Sequence, residues 1–223
     1  MIVDLMCERG EERACMGGQP KSGAVESTAS QSKRASRYDL ILEAAEIEFY
    51  ERSFDGVGVA AIGLRAGITP SAIYRHFESK DEILATLFDR AIDALQAKTA
   101  RRFDDPFEQL EYLVRGHVEF SLDEHRLNAV WTREQHALAE PYRRRVHRRQ
   151  KSYVDRWIAC LDACFPGNKA PDIAALVRVA HAIITSDGTR PPAVPRSANL
   201  KTILVAATLR AVRALDRTAD RSH

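Results

Sequence analysis

Apolar residues recur at helical spacing along most of the chain, and no stretch alternates as a half-buried strand would. Ile41, Ala44, Ala45 and Phe49 form an i, i+3, i+4, i+8 stripe that predicts a helix over about 36–52. Asp55-Gly56 breaks it. Val59, Ile62 and Ala66 predict a short second helix over 59–66, stopped by Gly67. A third is predicted over 70–77, with Ile73 and Phe77 inward. Thr69 is placed to cap it, and Pro70 sits at the first helical position, where its missing N–H costs nothing. Ser79 caps a fourth helix over about 80–100, with Glu82 as capping-box partner and Ile83, Leu84, Leu87, Ala91 and Leu95 inward. Further helices are expected at about 107–122, 127–139, 141–164, 171–187 and 199–216. The segment from Gly188 to Ser197, with three prolines, is excluded from helix.

The second and third helices have the lengths and the tight glycine turn of a helix-turn-helix, in which the second helix enters a DNA major groove. Phe49, Phe54, Val59, Ile62, Ile68, Ile73 and Phe77 supply a shared core. Ser71, Ala72, Arg75 and His76 face out, with Tyr74 at the edge. Apolar spacing alone fits any small helical bundle with a capped turn equally well. Composition narrows this little: 223 residues, 45% hydrophobic and 29% charged, describe an ordinary globular chain. A net charge of +2 is too small to mark a nucleic-acid binder, so the case rests on local arrangement.

Residues 1–35 are polar and aperiodic, and are expected to be a disordered extension. Lys33, Arg34 and Arg37 at its junction read as a solvated tail or as an arm reaching a minor groove. No secretory signal or bilayer-length apolar run occurs, and four cysteines make no disulfide framework, so a cytoplasmic protein is expected. Cys160 and Cys164 lack a second Cys/His pair and read as packed thiols; neither a metal nor a cofactor is expected.

From Arg37 to Leu84 the chain resembles the N-terminal domain of tetracycline-repressor (TetR) family transcription regulators. The resemblance rests on Leu42 to Phe49 (aliphatic-x-Ala-Ala-x-x-x-Phe), Val59 to Ile62, Ala66-Gly67-Ile68, Ile73-Tyr74-x-His76-Phe77 and Ser79-Lys80 with Leu84. It departs at Gly58, where the family has a Ser or Thr cap, at Ala61, where an acidic residue is usual, and at Ser71, where a Gly is common. The resemblance implies an all-α protein, with a helix-turn-helix DNA-binding domain over 36–82 and a helical effector-binding and dimerisation domain over 83–223. It implies phosphate contacts from Tyr74 and Lys80. Thr69, Ser71, Ala72, Arg75, His76 and Arg37 complete the expected DNA-facing set, with Arg75 suited to bidentate pairing with guanine.

In the second domain, Ile173, Leu176, Val177 and Ala180 line one face of a helix, and Leu200, Ile203, Leu204, Ala207 and Ala211 line the terminal one. In the resembled family two such helices per subunit form the homodimer interface, although the same stripes suit intramolecular core. Tyr112, Phe120, Trp131, Tyr153, Trp157 and Phe165 lie on helices that would surround an interior pocket, with His117, His136 and His181 as polar contacts. Such a pocket favours a hydrophobic or amphipathic small molecule. The basic run Arg143 to Lys151 reads first as a solvated face, and second as a site for an anionic effector such as an acyl-coenzyme A. The expectation is a dimeric, ligand-responsive regulator of a palindromic operator, acting as a repressor. No catalytic motif suggests an enzyme; the alternative is a helical scaffold or adaptor without DNA.

Overall fold

The structure, a computed structural model, describes residues 25–215 except Pro192, with side chains from Arg37 onward. Most of the expected extension, and the side chains of Lys33 and Arg34, lie outside these residues. From Arg37 on, the described residues form one compact unit. Nine α-helices follow in order among the described residues, and no strand: α1 (Val25–Arg52), α2 (Val59–Ala66), α3 (Pro70–Ile73), α4 (Lys80–Lys98), α5 (Pro106–Asp123), α6 (His125–Glu134), α7 (Tyr142–Cys164), α8 (Ala170–Thr185) and α9 (Leu200–Val212). Short 3-10 turns at Ser186–Thr189 and Arg213–Leu215 extend the last two. No helix among the described residues is long and apolar enough to cross a membrane.

Several boundaries differ from expectation for identifiable reasons. Helix α1 includes residues 25–35 because they contain no Gly or Pro break; they lack only the apolar stripe that periodicity detects. Helix α3 is a single turn, and Tyr74 to His76 continue it as a tighter turn in which the N–H groups of His76 and Phe77 both bond the Ile73 carbonyl, at 2.8 and 3.0 Å. Helix α6 ends at Glu134, five residues short of the expected 139.

The amino-terminal core is as expected. Ile41, Ala44, Ala45, Phe49, Phe54, Ile62, Ile73 and Phe77 are buried, and Val59 and Ile68 pack against them. Helix α4 buries Ile83, Leu84, Leu87, Ala91 and Leu95 and runs on into the second part of the molecule, where it packs on α5, α6 and α7. The tightest approach in the helix-turn-helix is at Gly63, where a Cβ would lie 2.8 Å from the backbone oxygen of Ile68. Gly67, at φ 68°, ends α2 in the left-handed region that favours glycine.

Gly58 has neither constraint: it caps α2 at φ −95° without a side-chain hydrogen bond, and nothing crowds its Cβ position. Gly63→Ala is therefore expected to destabilise the protein by about 1–3 kcal/mol through overpacking against rigid backbone. Gly58→Ser is expected to stabilise it by a few tenths of a kcal/mol by supplying the missing cap. Chemical denaturation of the two variants checks both; equal stabilities would contradict the packing described.

Candidate functional site

The outward face of the third helix is held by three ties. The Thr69 hydroxyl accepts from the Ala72 N–H at 3.3 Å and so caps α3. The Ser79 hydroxyl accepts from the Glu82 N–H at 3.1 Å at the start of α4. The returning Glu82 carboxylate takes the N–H of Glu78, one residue before the position expected for a capping box. The third tie is Glu48, only 2% exposed, whose carboxylate pairs with Arg52 on its own helix and with Arg65 of α2 at 2.6 Å. Arg65 also reaches Glu51, again at 2.6 Å, and these contacts raise its proton affinity.

On that scaffold Ser71, Tyr74 and Arg75 are exposed, Tyr74 by 57%, so it stands further out than an edge position. Thr69 is exposed with its hydroxyl engaged, Ala72 and His76 are half-buried, and Arg37 is exposed on α1. Lys80 departs from expectation. Its ammonium turns inward, donating to the carbonyls of Phe54 and Val57 at 2.8 and 3.0 Å and lying 4.0 Å over the Phe54 ring. The turn between α1 and α2 leaves these carbonyls without helical partners, and the lysine takes them up. In this structure Lys80 positions the helix-turn-helix rather than presenting itself to a phosphate.

A cavity of about 200 Å³ lies within the carboxy-terminal helices, walled by α4, α5, α6, α7 and α8. Of the residues expected to line it, His117, Phe120, Trp131, Tyr153 and His181 do. Tyr112 does not: its ring packs 5.2 Å from Phe103 and its hydroxyl accepts from the Arg101 N–H. His136 is exposed beyond the end of α6. Trp157 is fully buried behind the wall, 4.9 Å from the His181 ring and 6.1 Å from that of His117. Phe165 packs on Phe107. Periodicity placed Tyr112 and Trp157 on the right helices but not on the right faces, and His136 and Phe165 fall just outside the helices. The lining also includes the polar residues Asn128, Thr132, Gln135 and Gln150. The i, i+4, i+7 spacing of Asn128, Thr132 and Gln135 is the signal that would have found three of them.

No Asp, Glu, Lys or Arg lines the cavity. Its polar groups are short of partners: His117 Nδ1, His181 Nε2 and Asn128 Nδ2 make no hydrogen bond. The Tyr153 hydroxyl has Trp157 and Thr99 as polar neighbours without a hydrogen bond of normal geometry.

The basic run is not simply solvated. Arg145 and Arg149, one turn apart on α7, both pair with Asp89 of α4, at 2.9 and 2.6 Å, and Arg149 also takes Asp93. Arg143 and Arg144 share Glu140, and Lys151 pairs with Asp155. Arg145 and Arg149 thus clamp α7 to α4, while Arg143, Arg144, His147, Arg148 and Lys151 stay exposed. The expected dimer stripe needs a similar correction. Ile173, Val177, Ala180 and Leu204 are buried within the subunit, because α8 and α9 pack on each other and on α5. Leu176, Leu200, Ala207 and Ala211 are half-buried, and Ile203 is 52% exposed, as is Val179 at 47%. Helix α9 is apolar on nearly every side, so its sequence could not phase it.

Burial holds the His117 imidazole well below its usual pKa, and burial pushes His181 down to about 4. Both are neutral in the folded protein at pH 7, whereas an unfolded histidine protonates near 6.5. Between these values the unfolded chain binds protons that the folded one refuses. Stability is therefore fully present above about 6.5 and is lost as pH falls towards 4, with His181 alone worth roughly 3 kcal/mol over that window. Thermal unfolding is expected to occur at clearly lower temperature at pH 5 than at pH 7, and the dependence is expected to flatten in His181→Gln. An unchanged midpoint in the parent protein would rule out the buried neutral pair.

Comparison with known proteins agrees with this architecture. Residues 41–87 match the model of bacterial regulatory proteins of the tetR family, and residues 103–184 match the tetracyclin repressor-like C-terminal domain. The transcriptional repressor KstR2 of Mycolicibacterium smegmatis is 26% identical over 147 residues, which cover 64% of this chain and 72% of that protein. The repressor BepR of Brucella suis is 32% identical over 107 residues, 46% of this chain and 51% of that one. Apart from KstR2, the chain spans about half the length of the curated relatives it matches. Among solved structures, AibR in complex with isovaleryl coenzyme A and operator DNA shares the fold at a TM-score of 0.67 and 16% identity, covering 80% of this chain and 97% of that one. The two matched domains, in this order and on this fold, place the chain in the tetR family of regulatory proteins.

Proposed function

We propose that the protein is a homodimeric, ligand-responsive transcriptional repressor that reads a palindromic operator through the exposed face of Ser71, Tyr74 and Arg75. The observation that carries this reading is the contrast within one short segment. Ile73 and Phe77 are buried, while the tyrosine and arginine between them are exposed on a capped, tied turn. A phenol and a hydroxyl suit phosphate oxygens, and a guanidinium suits the paired acceptors of guanine. Thr69, Ala72, His76 and Arg37 border this face. Lys80 supports it from beneath.

The outward apolar groups of α8 and α9, Val179 and Ile203 with Leu176, Leu200, Ala207 and Ala211 beside them, are the surface on which a second subunit would pack. Two such heads would meet successive major grooves about 34–36 Å apart. Repressors among the relatives, and a fold neighbour solved with both a coenzyme A thioester and operator DNA, support the class of function.

The cavity suits an uncharged, largely apolar group carrying one or two hydrogen-bonding atoms, since a buried charge would find no countercharge there. Its volume suits the acyl portion of a thioester rather than a whole coenzyme. An effector acts only by binding the DNA-free and DNA-bound arrangements unequally. Helix α4 is placed to convey that difference, because it begins at Lys80 in the head and contributes Ala91, Ile92 and Leu95 to the cavity wall.

The test is binding to the DNA upstream of the coding region across a salt series. Affinity is expected to fall steeply with salt. Arg75→Ala is expected to lose about 1–3 kcal/mol of operator discrimination without changing the melting temperature. Tyr74→Phe is expected to weaken binding to all sequences alike. Unaltered affinity in Arg75→Ala, or no binding at low salt, would defeat the reading.

A further inference from the structure

A second concavity, a groove of about 530 Å³, opens between the loop joining α4 to α5 and a face of α7 that does not line the effector cavity. We propose that it binds a small oxyanion, the phosphate or carboxylate of a metabolite, held between the guanidinium groups of Arg102 and Arg156 with the Gln109 carboxamide as a third donor.

Each of these groups has donor capacity left unused. Arg102 makes no hydrogen bond or ion pair among the described residues. Arg156 gives one N–H to the Thr99 carbonyl, while its Nε is buried without a partner. Gln109 is 8% exposed; its Oε1 accepts from the Phe103 N–H at 3.1 Å, which fixes the orientation of the amide, and its Nε2 has no partner. Burial and the neighbouring Arg102 both work against the charge on Arg156. An oxyanion between the two guanidiniums would reverse that repulsion and offer each a bidentate partner.

The surroundings leave room for one negative group. Asp104 and Asp155 stand on the rim, and Asp155 is taken by Lys151 at 2.7 Å. Cys160, on the wall, donates to the Pro106 carbonyl, as does Cys164 beside it, and burial pushes the Cys160 thiol up to about 12, so that wall stays neutral.

The experiment is titration of the full chain at low ionic strength with inorganic phosphate, pyrophosphate and acetate, followed by amide NMR. Saturable shifts are expected at the Phe103 backbone and the Gln109 side-chain amide. A preference for the phosphates over acetate, or the reverse, identifies the ligand group. Arg102→Ala, on the exposed loop, is expected to weaken binding about tenfold. Gln109→Glu keeps an acceptor for the Phe103 N–H, replaces the donor with a negative charge, and is expected to abolish binding. No saturable shift with any of the three anions, or undiminished affinity in Arg102→Ala, overturns the proposal.

Discussion

The buried carboxylate of Glu48 constrains the amino-terminal half more than any other group. A charge in that position is tolerable only when it is paired, and the cost of leaving it unpaired is several kcal/mol. Arg52 on the same helix supplies one partner, and Arg65 supplies the other from α2. Helix α2 must therefore cross α1 where Arg65 can reach. That crossing brings Gly63 against the backbone of Ile68 and orients the turn into α3. The exposed face of Ser71, Tyr74 and Arg75 depends on this sequence of placements, although none of those residues touches Glu48.

The same economy of positions recurs where the two halves meet. Lys80 binds the carbonyls of Phe54 and Val57 in the α1–α2 turn from the first residue of α4. One side of α4 then walls the cavity, while Asp89 and Asp93 receive Arg145 and Arg149 from α7. Helix α6 makes a second connection. Trp131 and Thr132 line the cavity, and the next residue, Arg133, donates to the carbonyls of Phe49 and Tyr50 at the end of α1. A group entering the cavity thus meets two helices that are each bonded to the head.

Most helices were legible because their apolar stripes are strong. The α2 boundaries agree to the residue, and every α4 residue expected inward is buried. The short third helix was legible through its capping signals, Thr69, Pro70 and Ser79. Faces were harder to read than helices. Trp157 and Trp131 are both aromatic residues at helical spacing, yet one is sealed behind the cavity and the other lines it. The difference lies in which neighbour each helix packs against, and that is a long-range fact. Lys80 illustrates the same gap at close quarters, since a lysine at a helix start has the same sequence whether its ammonium meets a phosphate or a carbonyl.

The sequence by itself determined the helical class, the order of the elements, the capped turn of the helix-turn-helix and the resemblance that the family match bears out. These are local properties, written in periods of three to four residues and in single capping positions. Only packing made Glu48 buried and paired, set Arg145 and Arg149 on Asp89 of α4, and enclosed Ile173, Val177, Ala180 and Leu204 within the subunit. It also set Arg102, Gln109 and Arg156 around one groove. Each of these joins residues far apart in the chain, and their energies come from burial and charge pairing that exist only once the helices have packed.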